Sequence, residues 1–162
     1  MTAACLLDSN ILLRMSQRDN PHYPAIRAAL IAFRKQGTRL CYTSQTLGEF
    51  WNASTRPLDK NGFGLNIAET DSIAGEIERD FEFLPDSQAV HDRWRRLLVE
   101  HEVKGVQVHD TRLAASMYFH NIPQSMYGTS PVSAASGFSI PPTFFMNRHP
   151  DRTPWKNTSS SF

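Results

Sequence analysis

Three carboxylates stand out in this chain of 162 residues by the company they keep. Asp8 interrupts the aliphatic run LLDSNILLR (residues 6–14), Glu49 lies in TLGEFWNASTRP (46–57), and Asp110 lies in VQVHDTRLAAS (106–116). A carboxylate at the end of a buried strand costs several kcal/mol to keep ionised unless something compensates its charge. Carboxylates gathered at strand ends stay ionised if they share a hard divalent cation such as Mg²⁺ or Mn²⁺, which prefers oxygen ligands. Each acid also has a local structural role open to it: Asp8 as a strand-end turn former, Asp110 as a helix N-cap, Glu49 as an ordinary helix-surface residue. Spacing along the chain does not choose between these.

The elements that must position the acids are legible in outline. Residues 3–8 (AACLLD) form a short apolar strand with Asp8 at its carboxyl end and Ser9 and Asn10 as turn or cap residues. A helix is expected from Pro24, with Ile26, Leu30 and Phe33 on one face and Gly37 as its stop. RLCYT (39–43) is a second strand, and Thr43 or Ser44 caps a helix carrying Leu47, Phe50, Trp51 and Ala53, which leaves Glu49 near that strand's end. After the loop following Arg56-Pro57, Asn66 and Glu69 make a capping box for a helix bearing Ile67, Ala74, Ile77 and Phe81. Asp86 or Ser87 opens a helix with Val90, Trp94, Leu97 and Leu98 inward; 103–110 is a connection, and a last helix runs from Thr111 to His120 with Asp110 at its amino end. Strands interleaved with helices of this size predict a parallel sheet covered by helices, whose sites lie outside the carboxyl ends of the strands.

Composition narrows the function classes. A net charge of +1 gives no global field for a polyanion, so any nucleic-acid contact must be local. Cys5 and Cys41 sit in apolar strands and suit reduced, buried thiols. Neither an amino-terminal leader nor a run of about 20 apolar residues is found, which predicts a cytoplasmic protein with no membrane partner. No glycine-rich phosphate loop argues for an NTPase, and the His91-Asp92 and His109-Asp110 pairs lack the clustered spacing of a zinc site. A phosphoaspartyl hydrolase would need a second aspartate two residues after Asp8, where Asn10 stands. Arg93, Arg95 and Arg96 flank an inward Trp94 and are expected to form a solvated face. The chain changes character after Ile122: residues 123–162 hold six of the ten prolines and a single acid, Asp151. The expected organisation is therefore one domain over 1–122 and an irregular Pro/Ser/Thr-rich tail over 123–162.

As a set, these segments resemble the PIN-domain family, especially its VapC-like toxin ribonucleases. The resemblance rests on Leu6-Leu7-Asp8-Ser9-Asn10-Ile11-Leu12 for the opening strand and turn, on 46–57 for the helix with the second acid, and on His109-Asp110-Thr111-Arg112-Leu113-Ala114-Ala115 for the third. It implies a three-layer α/β/α sandwich with a parallel sheet and metal-dependent cleavage of RNA. It implies that Asp8, Glu49 and Asp110 ligate Mg²⁺ or Mn²⁺, with Ser9 assisting. Arg14, Arg56 and Arg112 are the arginines nearest the acids in sequence and are the candidates for phosphate contacts. An antitoxin and a second copy of the chain are the partners the resemblance implies, as part of a type II toxin–antitoxin system.

One departure cuts against full activity. The family continues past the third acid into a strand followed closely by a fourth acid, whereas nothing between Asp110 and Asp151 is acidic here. The last strand is therefore expected to be missing or altered, the carboxyl end to be an out-of-frame or replaced tail, and the activity to be impaired. A non-catalytic remnant that only binds an antitoxin or partner chain is the alternative.

Overall fold

A computed structural model describes residues 3–122 and 124–126. Among the described residues, four strands form one sheet: β1 (Ala4–Leu7), β2 (Arg39–Thr43), β3 (Glu82–Leu84) and β4 (Gln124–Met126). Their order is β3-β2-β1-β4, and every pair is parallel, with Leu6 opposite Cys41, Thr43 opposite Leu84 and Leu7 opposite Met126. Six helices connect them: α1 (Ser9–Ser16), α2 (Tyr23–Lys35), α3 (Ser44–Thr55), α4 (Ile67–Asp80), α5 (Gln88–Glu100) and α6 (Gln107–Phe119).

Strand alternation divides the core into two layers. Cys5 and Leu7 of β1 and Leu40 and Tyr42 of β2 point to one face, where they pack with Ile11, Ile26, Leu30, Phe50, Ala74 and Ile77 of α1 to α4. Ala4, Leu6 and Cys41 point to the other face and meet Leu84, Leu113, Met117 and Ile122. Helix α5 packs on α6 through Val90, Leu97 and Ala115, with Trp94 against them. The expected α/β/α sandwich is thus what the sequence builds, and both strand cysteines are buried and not joined in a disulfide.

Local signals account for most boundaries. Thr43 caps α3 and Asn66 caps α4, each through a reciprocal capping box, and Ser87 caps α5. Gly37 takes the left-handed conformation, φ +74°, just past α2.

Four features differ from expectation. The Asp8-Ser9-Asn10 turn opens directly into α1, an eight-residue helix with Asp8 as its N-cap. Residues 82–84 form an edge strand that three residues of local pattern do not announce. Helix α6 begins at Gln107, so Asp110 lies within its first turn and is not its cap. Ile67, expected inward, is at the exposed start of α4, while Thr70 is buried there instead. The strand expected to be missing or altered is there in short form, as β4 beside β1; the remainder of the tail read over 123–162 lies outside the described residues. Among the described residues no helix is long and apolar enough to cross a membrane.

Candidate functional site

The strand order creates a switch point. From β1 the chain moves outward through β2 to β3 and then returns to the other side of β1 to form β4. In open parallel sheets, the crevice at such a reversal, beyond the carboxyl ends of the strands, is where sites form. Asp8 directly follows β1 at this place. Glu49 reaches it from α3, on one face of the sheet, and Asp110 from α6, on the other.

Asp8 is held from three sides. Its Oδ1 accepts from the Ser9 backbone N–H at 2.7 Å, and its Oδ2 accepts from Asn10 Nδ2 at 3.1 Å. Ser9 Oγ lies 3.3 Å from Asp8 Oδ1 and 2.8 Å from Glu49 Oε2. A hydroxyl has one proton, so its bond goes to the nearer oxygen, and Ser9 links Asp8 to Glu49. The other oxygen of Glu49, Oε1, accepts from Gln45 Nε2 at 2.9 Å. Burial pushes the Asp8 carboxyl above its usual range, the Asn10 and Ser9 donors pull it back, and the Glu49 charge adds to the rise.

Asp110 is different. Its Oδ2 is buried and has no hydrogen-bond partner among the described residues. Burial first, then the charges of Asp8 and Glu49, push its carboxyl up to about 7. That electrostatic coupling places the three acids in one neighbourhood. Among the described residues, no group of three His, Cys, Asp or Glu side chains is gathered closely enough to hold an ion as it stands. Neighbouring carboxylates repel one another, and Ser9, Asn10 and Gln45 satisfy two of the three individually. The donor set nevertheless fits a hard cation: it consists of oxygens, and the orphaned Asp110 Oδ2 lacks what a cation would supply.

The three arginines are placed less centrally. Arg14 is half-buried in the last turn of α1, and Arg56 forms the C-cap of α3 with its Nε buried and unpaired. Arg112 is ion-paired to Asp86 and lies over the Trp94 ring, 5.2 Å from its centre, on the α5 side of α6. Among the described residues none of them is ion-paired with Asp8, Glu49 or Asp110. Arg95 and Arg96 are exposed, and Arg93 covers the Tyr118 ring at 4.2 Å. A cavity lined by Tyr42, Leu47, Trp51 and Phe83 lies toward the β3 edge and includes none of the acids.

The residue missed from sequence is Gln45. Its Nε2 donates to the main-chain carbonyl of His109 at 3.1 Å as well as to Glu49. The available signal was its position four residues before Glu49, one turn earlier on α3.

A four-stranded parallel sheet in order 3-2-1-4, covered on both faces and with acids at its switch point, defines the class of the domain. Among solved structures it is similar to VapC20 of Mycobacterium tuberculosis, a sarcin–ricin loop cleaving toxin, with TM-score 0.60 and 12% identity over 83% of this chain and 96% of that one. It is similar also to VapBC2 of Rickettsia felis, determined bound to a DNA fragment from their promoter, with TM-score 0.57 and 17% identity over 75% of this chain and 84% of that one. The likeness is one of fold: the chain shares the architecture of these two structures. No family model matches the sequence, and no curated protein matches it.

Proposed function

We propose that this chain is a divalent-metal-dependent endoribonuclease, the toxin of a type II toxin–antitoxin pair, acting in the cytoplasm. The observation that carries it is the arrival of three carboxylates from β1–α1, α3 and α6 at the switch point, one of them with a buried oxygen that nothing among the described residues satisfies. The fold shared with a toxin that cleaves the sarcin–ricin loop supports RNA as the substrate, and the VapBC2 likeness supports an antitoxin as partner. A second copy of the chain is a further proposed partner.

Asp8, Glu49 and Asp110 would hold Mg²⁺ or Mn²⁺. When bound, such an ion polarises a phosphate oxygen and lowers the pKa of water. The chain's own residues prepare for this. Asn10 and the Ser9 N–H fix the Asp8 carboxylate, so it does not rotate away. The Ser9 hydroxyl sets Glu49 against Asp8. Asp110, with its carboxyl at about 7, keeps a proton in part of the population at neutral pH, and a cation would displace it. Arg14 and Arg56 are the candidates for phosphate contact, and Arg112 would first have to leave Asp86.

The second reading is a non-catalytic remnant that binds a partner chain only. It is favoured by one observation, the lack of any acid between Asp110 and Asp151. RNA cleavage with Mn²⁺ or Mg²⁺, with and without Asp8→Asn, separates the two. Metal-dependent cleavage that disappears with Asp8→Asn is expected. Cleavage insensitive to that substitution refutes the site, and no cleavage by a folded chain under either ion favours the remnant.

A further inference from the structure

Gln45 makes a connection that nothing so far has required. It is the second residue of α3, and its single amide nitrogen spans two elements, bonding Glu49 Oε1 at 2.9 Å and the carbonyl of His109 at 3.1 Å. His109 immediately precedes Asp110 on α6. One side chain therefore ties the carboxylate of one acid to the backbone that carries another, across the two helix layers.

Chemistry fixes which way the amide points. Both groups that Nε2 touches are acceptors only, a carboxylate and a carbonyl, so the reversed amide would set oxygen against oxygen twice. Gln45 Oε1 must then face elsewhere, and it is buried with no partner among the described residues. Asp110 Oδ2 is in the same condition. A glutamine used only as a staple has no need to bury an unpaired carbonyl, because solvent would satisfy it. Two unpaired acceptor oxygens on residues tied together by one hydrogen bond indicate a region that expects a donor or a cation.

We propose that Gln45 is a positioning residue for the acidic cluster, setting the separation of Glu49 and α6. It orders the cluster without adding a negative charge. This rests on the reading of Asp8, Glu49 and Asp110 as a metal site.

The experiment is Mn²⁺ titration of the full chain, followed by calorimetry and by the Mn²⁺-induced rise in unfolding temperature, for wild type, Asp110→Asn and Gln45→Met. Reading the rise within each variant cancels any change in basal stability. Wild type should bind, Asp110→Asn should not, and Gln45→Met should bind about 10- to 100-fold more weakly, the range for loss of an outer partner of a metal ligand. If Gln45→Met does not fold, Gln45→Asn, which keeps the amide but is one methylene shorter, replaces it with the same expectation. A Gln45 variant that loses basal stability yet binds Mn²⁺ like wild type makes Gln45 a structural staple and overturns the proposal alone. A wild-type chain that binds no Mn²⁺ removes the metal site, and the proposal falls with it.

Discussion

Asp8 and Asp110 are both carboxylates lifted by burial, but they stand on opposite sides of the site in unlike condition. Asp8 has backbone and side-chain donors on both oxygens and serves as the N-cap of α1. Asp110 has an oxygen with no partner, sits within a helix turn instead of at its cap, and feels the charges of the other two acids. The β1 side of the cluster is thus completed by folding, whereas on the α6 side one buried oxygen has no partner among the described residues.

The largest expected effect breaks the comparison at both ends. Asp8→Asn and Asp110→Asn should each lower Mn²⁺ affinity and metal-dependent cleavage on the order of a hundredfold or more, beyond the effect of losing an outer partner. Their structural consequences should be opposite. Asparagine keeps one oxygen to cap the Ser9 N–H, but its amide nitrogen would meet the Asn10 Nδ2 donor, so Asp8→Asn should lose about 1 kcal/mol, and Asp8→Ala, which loses the cap as well, more. Asp110→Asn removes a charge that burial opposes, and should raise the unfolding temperature of the metal-free chain at pH 8. Thermal unfolding of the three variants without metal checks the pattern.

A pH profile sharpens the same contrast. The Asp110 carboxyl is raised from 3.8 to about 7, so between these values the folded chain holds a proton that the unfolded chain has released. Stability of the metal-free chain should therefore be greatest below about pH 4 on account of this group, and should fall as pH rises to about 7. Asp8, raised in the same direction, adds to the fall. Mn²⁺ affinity should run the other way, weakening by about tenfold for each unit below pH 7, because the ion must displace one proton. Calorimetric titration at several pH values measures the slope, and Asp110→Asn should flatten the stability profile.

How much of this was legible in the sequence depends on the range of the interaction. The caps at Thr43, Asn66 and Ser87, and the inward faces of α5 and α6, are set within a turn or two of chain and were readable. The two-layer core follows from strand alternation in β1 and β2. β3 and β4 were not legible, since each is three residues long and owes its strand conformation to a neighbour: Phe83 pairs with Tyr42, and Ser125 with Leu6. The start of α6 was missed because Val106 makes no side-chain cap, so the earlier Gln107 start left no mark and Asp110 looked like the cap. Within the site, Asp8, Ser9 and Glu49 come together by hydrogen bonds as their types suggested. Gln45 was invisible because its partners, Glu49 and His109, are 4 and 64 residues away, and only the fold brings the second within reach. Arg112 illustrates the converse: near an acid in sequence, it is drawn instead to Asp86 and Trp94.

The smallest effect tests the link between the two halves. Ser9 Oγ touches both Asp8 and Glu49, and its proton serves the Glu49 side at 2.8 Å. Ser9→Ala keeps the backbone N–H that caps Asp8 and removes only this bridge, so α1 should remain formed and the loss of stability should stay near 1 kcal/mol. Glu49 would still be held by Gln45 through its other oxygen. Mn²⁺ affinity should therefore fall by about tenfold at most, less than for any acid, with no change in its pH slope, because Asp110 supplies that slope. Ser9→Thr, which restores the hydroxyl, should recover the affinity. A Ser9→Ala chain as weak as Asp8→Asn would mean that the hydroxyl itself is a ligand and that the β1 side is no more complete than the α6 side.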